Sequence, residues 1–300
     1  MIAMKRLIQL LDGLWDRIGR SGWYDGAYVS QDSPILVGGC ARSGTTLLRV
    51  MLDTHPHIYC GPESNLFLPV RIRTRKRIEE LAWAFDIPAE DIEALLGGSG
   101  SLPEFIERFF RTMSGIHGKR RWGDKSPRNV QRLDYIFEHF PRARFIHMIR
   151  DGRDVACSLR TFPRRKIVDG RIVPVRTDRP LDECIRRWVH DVNMGMRHRG
   201  DPRYHELRYE DLISDTEGVL RGLFAFLDEP YEEEVLRYYE VQDSTREAIK
   251  FPQNIEATQP IYQKAVGRWR EEFGEEDKRL FKRLGGVLLV DLGYEDDDEW

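Results

Sequence analysis

Pro34-Ile35-Leu36-Val37-Gly38-Gly39-Cys40-Ala41-Arg42-Ser43-Gly44-Thr45-Thr46 is the stretch that decides the architecture. The run over 34–39 is apolar without alternation and ends in glycines, the pattern of a parallel strand buried on both faces. From Thr45 the spacing becomes helical, with Leu47, Leu48, Val50 and Met51 on about one face and His55-Pro56 stopping the helix. A glycine-bearing turn between a strand and a helix lets backbone N–H groups curl round an anion, and the helix adds its positive end. Arg42 supplies a permanent cation, and Thr45 and Thr46 supply hydroxyl donors. Gly39 and Gly44 have the spacing of a nucleotide phosphate loop, but Thr45 stands where such a loop carries its lysine. That lysine neutralises β- and γ-phosphates, so the substitution argues against ATP hydrolysis or phosphoryl transfer.

Outward from this loop the chain alternates strands and helices. Ile58-Tyr59-Cys60 reads as a short second strand, and 66–113 as a helical region broken at Pro88 and at 97–100. Arg121-Trp122-Gly123-Asp124-Lys125 reads as a lead into an amphipathic helix from Val130 to Phe140. Arg144 to Ile149 is the clearest later strand, with helical spacing resuming from Asp151 to Leu159. Residues 162–180, rich in Arg, Pro and Asp, read as an aperiodic loop. A helix over 181–199, a strand near 204–208 and helices over 214–240 complete the body. The order predicts an α/β fold, a central parallel sheet flanked by helices, in a single domain over 1–300. Its additions are an amphipathic N-terminal helix and connector over 1–30, a helical insertion over 66–120 and an acidic tail over 295–300.

Composition narrows the function classes. Forty-seven basic against fifty acidic side chains give a formal net charge of −3, so no global field draws nucleic acid. No apolar run reaches the length of a membrane span. Asp12, Asp16 and Arg17 interrupt the core that a signal peptide needs, which leaves peripheral membrane contact as a role for the N-terminal helix. The four cysteines, Cys40, Cys60, Cys157 and Cys184, form no Cys-x-x-Cys pair, and a cytoplasmic location is the expectation. Neither they nor the eight histidines show metal-ligand spacing. Between 160 and 179 the basic side chains Arg160, Arg164, Arg165, Lys166, Arg171, Arg176 and Arg179 form a local surplus suited to an anionic partner.

A second anion element follows the strand at 144–149. Arg150 at a strand end and Ser158, two turns into the next helix, can converge on one phosphate at the carboxyl edge of a parallel sheet. Arg153 either joins them or pairs with carboxylates at the surface.

Arg42-Ser43-Gly44-Thr45-Thr46-Leu47-Leu48 resembles the 5′-phosphosulfate loop of sulfotransferases that use 3′-phosphoadenosine 5′-phosphosulfate (PAPS). Through Arg49-x-Met51-Leu52-Asp53-x-His55-Pro56 to Cys60-Gly61-x-Glu63 the similarity is greatest to tyrosylprotein sulfotransferases. It recurs at Asp124-Lys125, at Ile149 to Arg153 and Ser158, at Tyr209-Glu210-Asp211-Leu212 and at Gly267-Arg268-Trp269, so it extends over residues 35–270. The resemblance implies a P-loop-NTPase-like sulfotransferase fold and transfer of a sulfuryl group to an acceptor hydroxyl, with 3′-phosphoadenosine 5′-phosphate (PAP) as product. It implies that Arg42 to Thr46 hold the 5′-phosphosulfate and Arg150 and Ser158 the 3′-phosphate. Tyr209 would contact the nucleotide, and a late loop with Gly267, Arg268 and Lys264 would close over it. Glu63 takes the place of the general base, and Lys125 with Arg42 would stabilise the leaving group; His55, His57 and His117 are the alternative bases. No metal is called for. Pro62-Glu63-Ser64-Asn65 departs from the subfamily's two acidic residues and downstream arginine, which leaves carbohydrate, lipid, small molecule and peptide tyrosine all open as acceptor. The rival readings are a P-loop kinase of a small metabolite and a non-catalytic nucleotide-binding module.

Overall fold

In a computed structural model, residues 23–24, 26–69, 71–162, 164–168, 171–175, 178–240, 257–261, 265–297 and 300 are described. The N-terminal helix expected before residue 20, Lys264, and Arg176 in the basic stretch lie outside them.

Five strands form one parallel sheet: β1 (Ile35–Gly39), β2 (Ile58–Cys60), β3 (Arg121–Lys125), β4 (Arg144–Ile149) and β7 (Tyr204–Arg208), in the spatial order β2-β3-β1-β4-β7. All residues of β1 are buried, as its apolar run requires. Leu36 points into a cluster with Phe105, Phe109 and Phe110, while Ile35 and Val37 face Leu48, Met51 and Leu223 on the other side. Helix α1 (Thr45–Thr54) follows the glycine turn and ends at His55, whose backbone is extended before Pro56. The helical region between β2 and β3 resolves into α2 (Arg75–Phe85), α3 (Ala89–Gly97) and α4 (Leu102–Ile116), with breaks at Pro88 and at 98–101. Beyond β3 come a 3₁₀ turn (Pro127–Arg132) and α5 (Leu133–His139), so the helix expected from Val130 begins later and in tighter form. After β4 come α6 (Gly152–Thr161), α7 (Leu181–Met196), α8 (Tyr209–Ser214), α9 (Thr216–Phe226), a 3₁₀ segment (Glu233–Glu240), α10 (Trp269–Glu272) and α11 (Glu275–Asp291).

Two expectations are corrected. Arg121 to Lys125 is not a lead-in but a strand between β2 and β1, with Gly123 opposite Ile35 and Lys125 opposite Val37. Its position inside the sheet buries it, although Trp122 is its one large apolar side chain. Residues 162–180, expected to form an aperiodic loop, contain an antiparallel pair, β5 (Arg164–Val168) and β6 (Arg171–Val175). Asp169-Gly170 follows Ile167-Val168 and precedes Arg171-Ile172-Val173, and Asp-Gly between two such runs is the sequence signature of a two-residue hairpin turn.

Because every strand of the large sheet runs the same way, the segments leaving β1, β2, β3, β4 and β7 converge on one edge. The strand order reverses about β1, and such a switch point opens a crevice at the carboxyl ends.

Candidate active site

The loop after β1 is held in an unusual backbone shape by its own ligand-type residues. Arg42 has φ 76° and Gly44 φ 90°, both left-handed. For arginine this conformation costs on the order of 1 kcal/mol and persists only where neighbours fix it. Here Arg150 Nη1 donates to the Arg42 carbonyl (3.0 Å), Arg42 Nε donates to Ser158 Oγ (2.9 Å), and the Arg42 guanidinium lies 4.7 Å from the Phe162 ring centre. At Gly44 a Cβ would run into the Tyr209 ring, so glycine is required by packing as well as by φ. Arg42, Ser43, Arg150, Ser158 and Tyr209, distant in sequence, are thus brought together.

Arg42, Gly44, Thr45, Thr46, Arg150 and Tyr209 line a pocket whose remaining wall comes from Leu47, Ile213, Tyr238 and residues of 257–265. Arg150 is only 6% exposed, stacks on Tyr209 (4.6 Å) and donates to the Ala265 carbonyl. Two buried polar atoms here, Ser43 Oγ and Arg150 Nε, have no partner within the protein. Buried polar groups are nearly always paired, so such orphans beside left-handed loop amides fit an anionic ligand such as a phosphate. Tyr238, whose hydroxyl donates to the Gln259 carbonyl (2.6 Å), was not singled out in the sequence. Nothing in its local pattern distinguishes it from a core tyrosine.

The late loop departs from expectation. Arg268 does not line the pocket but pairs with Glu272 one helical turn on (Nη2 to Oε1, 2.6 Å). Gly267, with φ 78°, is held by Asp154, whose fully buried carboxylate accepts from the Gly267 amide (2.8 Å) and the Trp269 amide (3.1 Å). Burial raises the Asp154 pKa despite the nearby Arg150 charge. Asp154 is therefore the residue that fixes this loop; the available signal was its i+4 spacing from Arg150. Arg153 neither lines the pocket nor sits at the surface. It is 2% exposed, doubly paired with Asp151 and bonded to Glu295.

At the ends of β2 and β3 lies the acid–base pair. Lys125, 1% exposed, donates to Glu63 Oε1 (2.6 Å) and to Thr46 Oγ1 (3.2 Å). The ammonium thus joins the phosphate loop to a carboxylate whose side chain is 44% exposed. An ammonium at that depth requires an anionic partner, and Glu63 provides it. Asp124 is no surface-turn neighbour of Lys125. Its buried carboxylate accepts from the Ser64 amide (3.3 Å) and Asn129 Nδ2 (2.8 Å), while Ser126 Oγ accepts from the Asn65 amide (2.9 Å). Desolvation pushes the Asp124 pKa up against these hydrogen bonds. The residues flanking Lys125 therefore clamp the turn that carries Glu63.

The alternative bases lie at the opposite edge, before β2 and β3. The His57 amide donates to His55 Nδ1 (3.2 Å), so His55 Nε2 carries the hydrogen it gives to the Pro230 carbonyl (3.0 Å). His57 Nδ1 meets Arg120 Nη2 (2.7 Å) and Glu229 Oε2 (3.3 Å), and His117 Nδ1 meets the Met113 carbonyl (2.8 Å). His55, His57 and Glu229 present ligand-type atoms within 4.8 Å of one another. Both ring nitrogens of His55 are engaged, by the His57 amide and the Pro230 carbonyl, and Arg120 stands between His57 and Glu229 where a cation would bridge them.

With this geometry in view, the sulfotransferase family profile matches residues 34–233. The chain belongs to the sulfotransferase family. It is 30% identical over 282 residues to a Drosophila melanogaster protein-tyrosine sulfotransferase, a match covering 87% of this chain and 51% of that protein. The chain thus spans about half the length of that relative, and 62% of the Caenorhabditis elegans protein-tyrosine sulfotransferase A. Among solved structures, the sulfotransferase domain of the Synechococcus PCC 7002 olefin synthase aligns with TM-score 0.63 at 21% identity, covering 87% of this chain and 97% of that one. Mouse sulfotransferase SULT7A1, complexed with PAP, aligns with TM-score 0.52 at 15% identity and covers 89% of each chain. These similarities establish the sulfotransferase fold expected from the sequence. Among the described residues no helix is long and apolar enough to cross a membrane.

Proposed function

We propose that this chain transfers the sulfuryl group of PAPS to an acceptor hydroxyl. The observation that carries the reading is the chain Thr46–Lys125–Glu63, in which one buried cation touches both the phosphate loop and an exposed carboxylate. When bound, the nucleotide supplies sulfur already activated as a mixed anhydride with phosphate. Arg42 and Lys125 place fixed positive charge where the leaving phosphate gains negative charge, the electrostatic contribution that is usually largest. Glu63 is positioned to take the acceptor proton, since base catalysis needs a carboxylate that the acceptor can reach. Arg150 and Ser158 suit the 3′-phosphate that separates this nucleotide from ATP. The relatives named protein-tyrosine sulfotransferases support a tyrosine hydroxyl as the first acceptor to try. The four cysteines, buried free thiols, support a reducing compartment such as the cytoplasm.

Thermal shifts with PAP, AMP and Mg-ATP test the nucleotide. PAP at about 100 times its Kd should stabilise the fold by about 2.7 kcal/mol, with AMP far weaker at equal concentration. Stabilisation by Mg-ATP in place of PAP would support a kinase. Transfer should also need no metal, because a single 5′-phosphate offers no β,γ bridge to clamp and protein cations are in place. EDTA should leave transfer from labelled PAPS to a tyrosine peptide intact; loss restored by magnesium would contradict this.

A further inference from the structure

Beyond α11 the chain turns back and touches sequence neighbours of the residues assigned above to the nucleotide. The Leu292 carbonyl accepts from Arg208 Nη1 (2.9 Å), and the Arg208 guanidinium lies 4.1 Å from the Tyr294 ring centre. Tyr294 Oη donates to Glu210 Oε2 (2.8 Å), and Glu210 Oε1 accepts from the Asp151 amide (2.9 Å). Glu295 bonds Arg153, whose guanidinium lies over both Trp269 (3.9 Å) and Trp300 (4.5 Å). Trp300 also meets Trp269 edge-on at 5.6 Å. The direct partners are therefore Arg208 and Glu210 on either side of Tyr209, Arg153, and Trp269 in the turn that Asp154 holds through Gly267; Asp151, beside Arg150, is reached through Glu210 and Arg153.

We infer that residues 292–297 and Trp300 form a strap that positions Arg150, Tyr209 and the 265–269 turn for the nucleotide's 3′-phosphate. This rests on the nucleotide reading proposed above. The strap residues do not line the pocket; they act through partly buried bonding. Glu210 is held between two donors, one on the strap and one at the start of α6, and a half-buried carboxylate deprived of a donor relaxes toward another. Arg153 is desolvated between two indoles, and its ion pairs with Asp151 and Glu295 keep the first turn of α6 from shifting along the sheet edge. The acidic tail is thus joined to the fold at Glu295 and is not merely solvated there.

The test compares the Tyr294→Phe, Trp300→Ala and Trp300→Phe variants of this chain by calorimetry with PAP and with AMP, which lacks the 3′-phosphate. Tyr294→Phe and Trp300→Ala should each weaken PAP about five- to thirtyfold, the scale of a lost buried hydrogen bond or ring contact. AMP affinity and turnover at saturating PAPS should stay within about twofold, and Trp300→Phe should restore most of the PAP affinity. If Trp300→Ala does not fold, Tyr294→Phe decides alone, since it removes a single hydroxyl. Unchanged PAP affinity in folded Tyr294→Phe, or equal weakening of PAP and AMP, would overturn the strap. A wild-type chain that prefers PAP no more than AMP would overturn the nucleotide reading beneath it, a result visible before any variant is made.

Discussion

Strand β3 begins at Arg121 and ends at Lys125, and the two cations live differently. Arg121 donates to Glu229 (3.2 Å) and to the Ser33 carbonyl (2.6 Å), while Glu229 also takes Arg120 and His57. Burial alone would raise the Glu229 pKa, yet hydrogen bonding with Arg121, His57 and Arg120 and the Arg121 charge bring it below its ordinary value. That amino edge is a closed network in which charges neutralise one another. At the carboxyl edge Lys125 is the more deeply buried of the two, but its one carboxylate partner is half-open to solvent, and Ser43 Oγ and Arg150 Nε nearby lack protein partners. The difference teaches where to look for chemistry. The residue types are the same; bonding capacity left unused by the fold separates a site from a brace.

The comparison breaks most visibly at the carboxyl-edge pair of Lys125 and Glu63. Lys125→Met should lower turnover about 10²–10³-fold by removing charge stabilisation. Glu63→Gln, which keeps the shape but cannot take a proton, should lower it at least about a hundredfold. Where chemistry limits the rate, the wild-type pH profile should show a limb that Glu63→Gln lacks. Single-turnover rates from labelled PAPS measure both. Near-normal turnover in Glu63→Gln would move the base elsewhere on the carboxyl edge, since His55, His57 and His117 all lie at the other.

Next in size is Arg150→Ala. A charge-assisted phosphate contact contributes about 1.5–3 kcal/mol, so PAP should bind about 10- to 150-fold more weakly, with AMP little changed. Calorimetry that finds equal PAP affinity in the variant would remove Arg150 from the 3′-phosphate site.

How far the sequence carried this reading depends on what kind of pattern each element has. Strand β1, its glycine loop and α1 were legible because an unbroken apolar run, two glycines and a helical stripe each have a distinct spacing. Lys125 and Glu63 were legible only through family resemblance. Strand β3 reads as polar and owes its burial to lying between β2 and β1, which no local pattern can show. The β5–β6 hairpin was obscured by its charge, although Asp169-Gly170 between β-branched pairs marks it. Arg268 was given a ligand role by family resemblance; its partner Glu272 lies one helical turn away. Asp154 and Asp124, the carboxylates that hold two site turns in place, were hidden because each reaches a backbone amide of a turn far away in sequence. A sequence does not say which buried carboxylate will cap which distant turn.

The smallest expected effect lies at the amino edge. His57→Gln should leave turnover within about twofold of wild type, because the ring touches Arg120 and Glu229 and no residue of the pocket. Stability should fall by less than about 1 kcal/mol, since the imidazole is about one-third exposed and Arg121 and Arg120 still hold Glu229. Arg121→Met sharpens the contrast. It strips Glu229 and two carbonyls of a buried donor, at a cost of about 1–3 kcal/mol in stability, while kcat for the folded fraction stays near wild type. Urea unfolding alongside active-site-normalised turnover reads both quantities on the same preparation. If Arg121→Met lowers kcat as Lys125→Met does, the two ends of β3 are not separable into brace and site, and the amino edge must reach the chemistry through the strand itself.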